Sequence, residues 1–173
     1  MKRELDAVNY LIKCGHKHIA FLTYDYDNTT ILDRKKGYIK ALEDNGIPVD
    51  ENLIIASKFK PNCGYHMTQE LLEKAPYITA IFAYNDQLAL GVYLYLQKKG
   101  LRIPEDISVI GYDNTELATL LNPSLTTVGQ PRKEMGISAA ELLVKRIREQ
   151  KSIIPQTILL PTTLIVRDSV RKL

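Results

Sequence analysis

Short apolar runs alternate with stretches of helical period along the first two thirds of the chain, and this alternation constrains the fold more than any other feature. Leu5, Val8, Leu11 and Ile12 recur at helical spacing and stop at Gly15. Ile19 to Tyr24 is a short apolar run, and Asp25 to Thr30 is polar and rich in turn formers. The spacing then predicts a helix over 32–45 with Tyr38, Ile39 and Leu42 inward, stopped by Gly46 and Pro48. Strand-like runs at 53–59, 80–84 and 107–111 are separated by helical stretches at 62–74 and 86–99, the second ending at Gly100. Parallel strands need crossovers of about a dozen residues, which helices supply. The pattern therefore predicts an α/β fold, a doubly wound parallel sheet with helices on both faces. The last third differs. It reads as a brief strand at 126–128, a helix from Pro131 to about Arg148, and a final strand at 162–166. Met135, Ala139, Leu142, Leu143 and Ile147 form the apolar face of that helix.

Two of the strand-like runs stop on polar side chains: Tyr84-Asn85-Asp86 and Tyr112-Asp113-Asn114. Polar groups at the carboxyl edge of a parallel sheet describe a ligand crevice. Asn85 offers an acceptor and two donors, and Asp113 several acceptor sites, so together they suit vicinal hydroxyls. Helix capping is the competing reading for Asn85 and Asp86, and a turn for Asp113 and Asn114. Two such motifs at adjacent strand ends favour a site. Arg34 opens a helix after a polar loop. It is either a clamp on a ligand oxygen or a solvated first-turn charge. Phe59 ends a strand and either stacks on a sugar or base or packs in the core.

The 173 residues make one domain or a little more, and 45% hydrophobic content is ordinary for a globular core. A net charge of +3, with signs interspersed, leaves only short basic clusters at Lys2-Arg3 and 167–172. That is not a surface that grips nucleic acid. Cys14 and Cys63 sit in no paired motif and read as free thiols in a reducing, cytoplasmic setting. His16 and His18 lack a third ligand, so no metal or cofactor is expected. His66, like them, reads as a surface or core residue. Met1-Lys2-Arg3-Glu4 leads into an amphipathic helix rather than an export signal. No apolar run approaches the ~20 residues a membrane span needs. There is no G-x-S-x-G, HExxH, phosphate loop or dinucleotide fingerprint, so the chain is not expected to be an enzyme. The stretch Leu88, Ala89, Leu90, Val92, Tyr93, Leu94, Tyr95, Leu96 is apolar nearly all round. Either it is a core helix or its outer face meets a second subunit, and the second reading is favoured.

The order of motifs is similar to one family. They are Gly15-His16-Lys17-His18-Ile19-Ala20-Phe21, Arg34-Lys35-Lys36-Gly37-Tyr38 and the run from Ala80 to Gly91. They continue from Gly100 to Asp113, through Pro123-Ser124-Leu125-Thr126-Thr127-Val128, to Leu160-Pro161-Thr162-Thr163-Leu164-Ile165-Val166-Arg167. The chain resembles the effector-binding core of LacI/GalR transcriptional regulators along essentially its whole length. The resemblance implies a periplasmic-binding-protein-like fold of type I, two lobes joined by three crossovers with ligand between them. It implies that 1–114 and 160–173 are the second lobe. Residues 124–150 are then a strand and helix left from the first lobe, the helix to dock elsewhere, swap between copies or stay partly exposed. The DNA-binding region and most of the first lobe would lie outside this sequence, and DNA would be met only through them.

The same resemblance puts Arg34, Asn85 and Asp113 on effector hydroxyls, Phe59 in stacking contact and Gln130 as a contact from the other lobe. It puts Leu90, Tyr93 and Leu121 near a homodimer interface, with Leu94 beside them. The loop 24–30 is more acidic than that family's pattern. Asp25 or Asp27 either meets further hydroxyls or lies in an exposed turn. The function implied is a sugar-like metabolite sensor in a regulator, read as a repressor. The alternative is the solute-binding protein of a sugar importer.

Overall fold

The structure, a computed structural model, describes residues 4–149 and 155–173. Six strands form one sheet: β1 (Ile19–Tyr24), β2 (Ile54–Ser57), β3 (Ala80–Ala83), β4 (Ser108–Asp113), β5 (Thr126–Gly129) and β6 (Thr163–Ile165). Their order is β2-β1-β3-β4-β5-β6. The first five run parallel, and β6 closes the edge antiparallel to β5. The helices are α1 (Glu4–Lys13), α2 (Thr29–Asp44), α3 (Cys63–Lys74), α4 (Asp86–Lys99), α5 (Leu117–Leu120) and α6 (Arg132–Glu149). The side chain of Leu5 lies outside the described residues.

Alternation along the strands sends neighbouring side chains to opposite faces, and both faces are buried, as a parallel sheet requires. Ile19, Phe21, Phe82, Ile110 and Tyr112 pack with Val8 and Leu11 of α1 and Tyr38 and Leu42 of α2. Phe21 stacks between Tyr38 and Phe82, at 5.3 and 5.1 Å. Ala20, Leu22, Ile81, Ala83 and Val109 face Leu71 of α3 and Leu88, Val92 and Leu96 of α4. The expected double winding is present.

Three expectations need correction. The helix predicted over 32–45 begins earlier, at Thr29, because Asn28 caps it by accepting from Thr30 N at 2.8 Å. β2 stops at Ser57, which leaves Phe59 in the loop beyond it. The strand at 126–129 is no remnant of another lobe: Ile110, Gly111, Tyr112 and Asp113 of β4 pair in register with its four residues. Tyr93 is buried, its hydroxyl donating to Pro123 O at 2.9 Å, and it lines a surface groove with Leu90 and Leu94. α4 is greasy because the sheet, α3 and α5 cover most of its circumference. Of its large apolar residues only Leu90 and Leu94 reach the surface, Leu94 at 46% exposure.

His16 is a core residue. Its Nε2 lies 3.1 Å from Arg171 O, which can only accept, so that nitrogen carries the proton and Nδ1 accepts from the Thr79 hydroxyl at 2.9 Å. Burial holds the imidazole below the ordinary histidine range. The C-terminal tail it grips is tied in further by Ser169, which accepts from Thr126 N and donates to Val109 O. α6 behaves differently: none of the described positions on it is buried, and Met135, Leu143 and Ile147 stand 49%, 60% and 67% exposed.

Candidate ligand site

The carboxyl ends of five parallel strands deliver Asp25, Phe59, Asn85, Asp113 and Gln130 to one edge of the sheet. Asp113 stands at its centre. It ends β4 at φ 103, and Asn114 follows at φ 49. Asp and Asn tolerate this left-handed region better than most residues. Asp113 Oδ1 accepts from Arg34 Nη2 at 3.2 Å and from Gln130 Nε2 at 2.6 Å. Its backbone carbonyl accepts from Arg132 Nη2 at 3.1 Å. Oδ2 takes no hydrogen bond among the described residues. Gln130 reaches Asp113 because it follows β5 in the same sheet.

Arg34 is not a solvated charge. Its side chain is 4% exposed, against 21% for Asp113. Nη1 donates to Tyr84 O. The guanidinium carbon lies 4.1 Å from the Tyr84 ring centroid and 3.7 Å from that of Tyr112. Nε is buried without a partner. No local pattern marks this clamp, since either tyrosine alone reads as ordinary strand packing.

Asn85 caps α4: its Oδ1 accepts from Leu88 N at 2.9 Å, which uses one of that oxygen's two acceptor sites. The Asn85 side chain also hydrogen-bonds the Tyr24 hydroxyl, whose pKa burial drives to about 12. Phe59 is 66% exposed, which removes the core reading. The Tyr26 hydroxyl fixes its loop by accepting from Phe59 N at 2.9 Å, and its ring leans on Tyr24 at 5.9 Å. Asp25 is exposed in the loop after β1, its N–H donating to Ser57 O.

A supporting layer lies behind these residues, with no local signature beyond the capping pattern at Asp86. Asp86 is fully buried and accepts from Thr115 N at 2.6 Å, Thr115 Oγ1 at 2.9 Å and Thr127 Oγ1 at 2.7 Å. Burial pushes its carboxyl up, and those three hydrogen bonds oppose the shift. A Cβ at Gly111 would collide with Asp86 Oδ1, which explains glycine inside β4. Arg167 holds the turn from the other side, Nη2 donating to Asn114 Oδ1 at 2.8 Å.

Two other surfaces bear on function. A groove of 460 Å³ is lined by Leu90, Leu94, Leu121 and Pro123, together with Leu120, which is 71% exposed. A cavity of 530 Å³ lies toward the amino edge, between Leu72, Tyr95, Ile107 and Arg171. No unpartnered buried polar group faces it, so the polar cluster above is the better candidate. Among the described residues no group of three His, Cys, Asp or Glu is placed to hold a metal. No described helix is long and apolar enough to cross a membrane.

The carboxyl edge of this parallel sheet thus presents a fixed acid, an amide and a clamped arginine together. Residues 8–170 match the model of the periplasmic binding protein-like domain. The chain belongs to that family. It is 44% identical over 144 residues to the HTH-type transcriptional repressor PurR of Vibrio atlanticus, covering 83% of this chain and 43% of that protein. The transcriptional regulator CelR in complex with cellobiose superposes with a TM-score of 0.89 at 36% identity, over 97% of this chain and 51% of that one. A LacI-family regulator from Enterococcus faecium with bound ribose gives 0.87 at 35% identity, over 98% and 62%. The chain spans about half the length of the curated relatives it matches.

Proposed function

We propose that this chain is the ligand-sensing and dimerising lobe of a cytoplasmic, DNA-binding transcriptional regulator of repressor type. It responds to a sugar or similar small metabolite. The observation that carries this reading is Asp113, held by Arg34 and Gln130 through one oxygen with the other left free. A free carboxylate oxygen suits a ligand hydroxyl, and the exposed Phe59 ring suits the apolar face of a sugar or base. α6 then belongs to the facing lobe, which accounts for an apolar face left uncovered here. Gln130 and Arg132 both bond Asp113 where the chain leaves β5, so ligand at Asp113 senses the hinge. Signalling requires only that ligand favour one lobe arrangement over the other. The likeness to regulators, and the exposed leucines beside α4, argue for this over the importer alternative.

The test is a titration of the protein with D-ribose and with cellobiose, followed by amide NMR and by thermal unfolding. A bound sugar raises stability with the logarithm of its concentration over Kd. The expected shifts centre on Asp113, Gln130 and Phe59 and vanish in Asp113→Ala. Flat titrations with both sugars to millimolar concentrations overturn the reading.

The dimer has its own test. Two copies meeting through Leu90, Leu94, Leu120 and Leu121 would bury a continuous apolar patch. Leu94→Asp places a charge on that patch at an exposed helix position, so folding is spared. Sedimentation should show a dimer for the natural protein and a monomer for the variant. An unchanged sedimentation coefficient places the interface elsewhere.

A further inference from the structure

We propose that the cavity at the amino edge of the sheet is a second ligand site, which takes a small molecule with an apolar body and a carboxylate head. The inference goes beyond the ligand-site reading above and stands apart from it. Ile107 lines the cavity, and Asp113 lies six residues further along the same extended segment, so the two places are about 20 Å apart. The volume, 530 Å³, is in the range that small molecules occupy. Leu72 near the end of α3, Ile78 on the way into β3, Leu101 beyond α4 and Ile107 at the entry to β4 make the apolar wall. The loop from α4 to β4 that carries part of this wall is braced. Asp106 accepts from Arg102 N at 2.7 Å and from its Nε and Nη2 at 3.1 Å.

The head group is read from the polar side chains on the same cavity. Tyr95 is only 3% exposed, and its ring is held edge-on by Tyr65 at 5.1 Å. A tyrosine buried so far ordinarily bonds its hydroxyl. Here the hydroxyl is neither sealed from solvent nor hydrogen-bonded among the described residues, so it is open to an incoming group. Arg171 is fixed by its backbone, its N–H donating to Ser108 Oγ and its carbonyl accepting from His16 Nε2, both at 3.1 Å. Its guanidinium makes no hydrogen bond and no ion pair among the described residues. Lys99 ends α4 without an ion pair among them, its ammonium 5.8 Å from the Tyr95 ring centroid. Three carboxylates line the cavity as well. Asp106 has both oxygens on Arg102, and Glu73 Oε1 accepts from Gln69 at 3.1 Å. Of the three, Glu105 alone keeps both oxygens unbonded among the described residues. The helix-end carbonyls of Leu71, Leu96 and Gln97 are already capped by the N–H groups of Ala75, Leu101 and Gly100, which leaves fewer to draw a cation. Free donors, two of them charged, therefore outnumber free acceptors. They favour a carboxylate, whose bonds to charged donors are the strong kind.

Three probes with one apolar body and different heads test this: 3-phenylpropionate, 3-phenylpropionamide and phenethylamine, each titrated into the natural protein and followed by amide NMR. The carboxylate should shift Leu72, Tyr95, Ile107 and Arg171 and bind at least about fivefold more tightly than the other two, a factor within reach of two exposed charge contacts. No shift at those residues up to tens of millimolar overturns the site. Shifts spread instead over Leu94, Leu120 and Met135 overturn it too, because the probe is then coating exposed apolar surface. Equal or tighter binding of the amide or the amine overturns the carboxylate head. Lys99→Gln and Arg171→Gln alter exposed side chains, so folding is spared. Each should weaken 3-phenylpropionate about two- to fivefold and leave the amide unchanged. Tyr95→Phe keeps the buried ring and should likewise weaken the carboxylate more than the amide. Equal effects on both probes in all three variants overturn the assignment of these residues to the head group. Shifts from D-ribose at Asp113 play no part here, so failure of either site leaves the other standing.

Discussion

Gly91→Ala should lower the stability of this protein by about 3 kcal/mol, near the upper end for overpacking a well-packed contact. A Cβ on Gly91 would stand 2.5 Å from Tyr65 N and 2.6 and 2.7 Å from the carbonyl carbon and Cα of Gly64. All three atoms are backbone of α3, so no rotamer change relieves the clash and the helices must part. The crossing is tight from the other side too, because a Cβ on Gly64 would collide with Leu88 O. Parting α3 from α4 opens the cluster of Met67, Leu71, Leu88 and Val92, each at most 2% exposed. Urea unfolding measures this directly: the midpoint should fall with an unchanged slope. Gln87→Ala, on the same helix but exposed, is the control and should cost less than about 1 kcal/mol. A Gly91→Ala loss no larger than the control's would mean that the helices do not meet so closely.

That contact also shows where sequence reasoning stops. The alternation of runs placed β1 and α4 at their observed bounds, since apolar periodicity, the Asn85 cap and Gly100 are all local. The same local pattern made α4 look like a helix with an exposed greasy face. Its cover comes from Gly64 meeting Gly91, a tertiary fit with no local signature. Asp113 was legible as a polar strand end. Arg34 was not: the local pattern favoured a solvated charge, and only the family resemblance made it a ligand-site residue. Its burial depends on Tyr84 and Asp113, 50 and 79 positions away. Asn28 is a local signal for the earlier start of α2, because the polar loop before that helix ends in a capping residue. The sheet that β5 joins is not legible locally, because four residues carry too little pattern, and the family resemblance pointed to the other lobe; only register with β4 decides it.

Asp86→Ala should cost about as much as Gly91→Ala, roughly 3 kcal/mol, through unsatisfied donors rather than crowding. The carboxylate receives three hydrogen bonds, from Thr115 N, Thr115 Oγ1 and Thr127 Oγ1. A hydroxyl left alone can turn toward another acceptor, but the Thr115 N–H cannot move without the backbone. Asp86→Asn keeps the shape and one acceptor, so it should lose about half as much, with one donor now facing another. The consequence for binding is larger than the stability loss suggests. Thr115 closes the turn in which Asp113 and Asn114 hold φ 103 and φ 49, and Asp86 is what ties that turn to α4. With the tie removed, those two residues can relax toward ordinary backbone, and Asp113 swings away from Arg34 and Gln130. Asp86→Ala should therefore abolish the ribose and cellobiose shifts at Asp113 although Asp86 touches no ligand, and although the protein remains folded at low temperature. Retained shifts in a destabilised but folded variant would show that β4 alone fixes the acid, and that the buttress serves stability only.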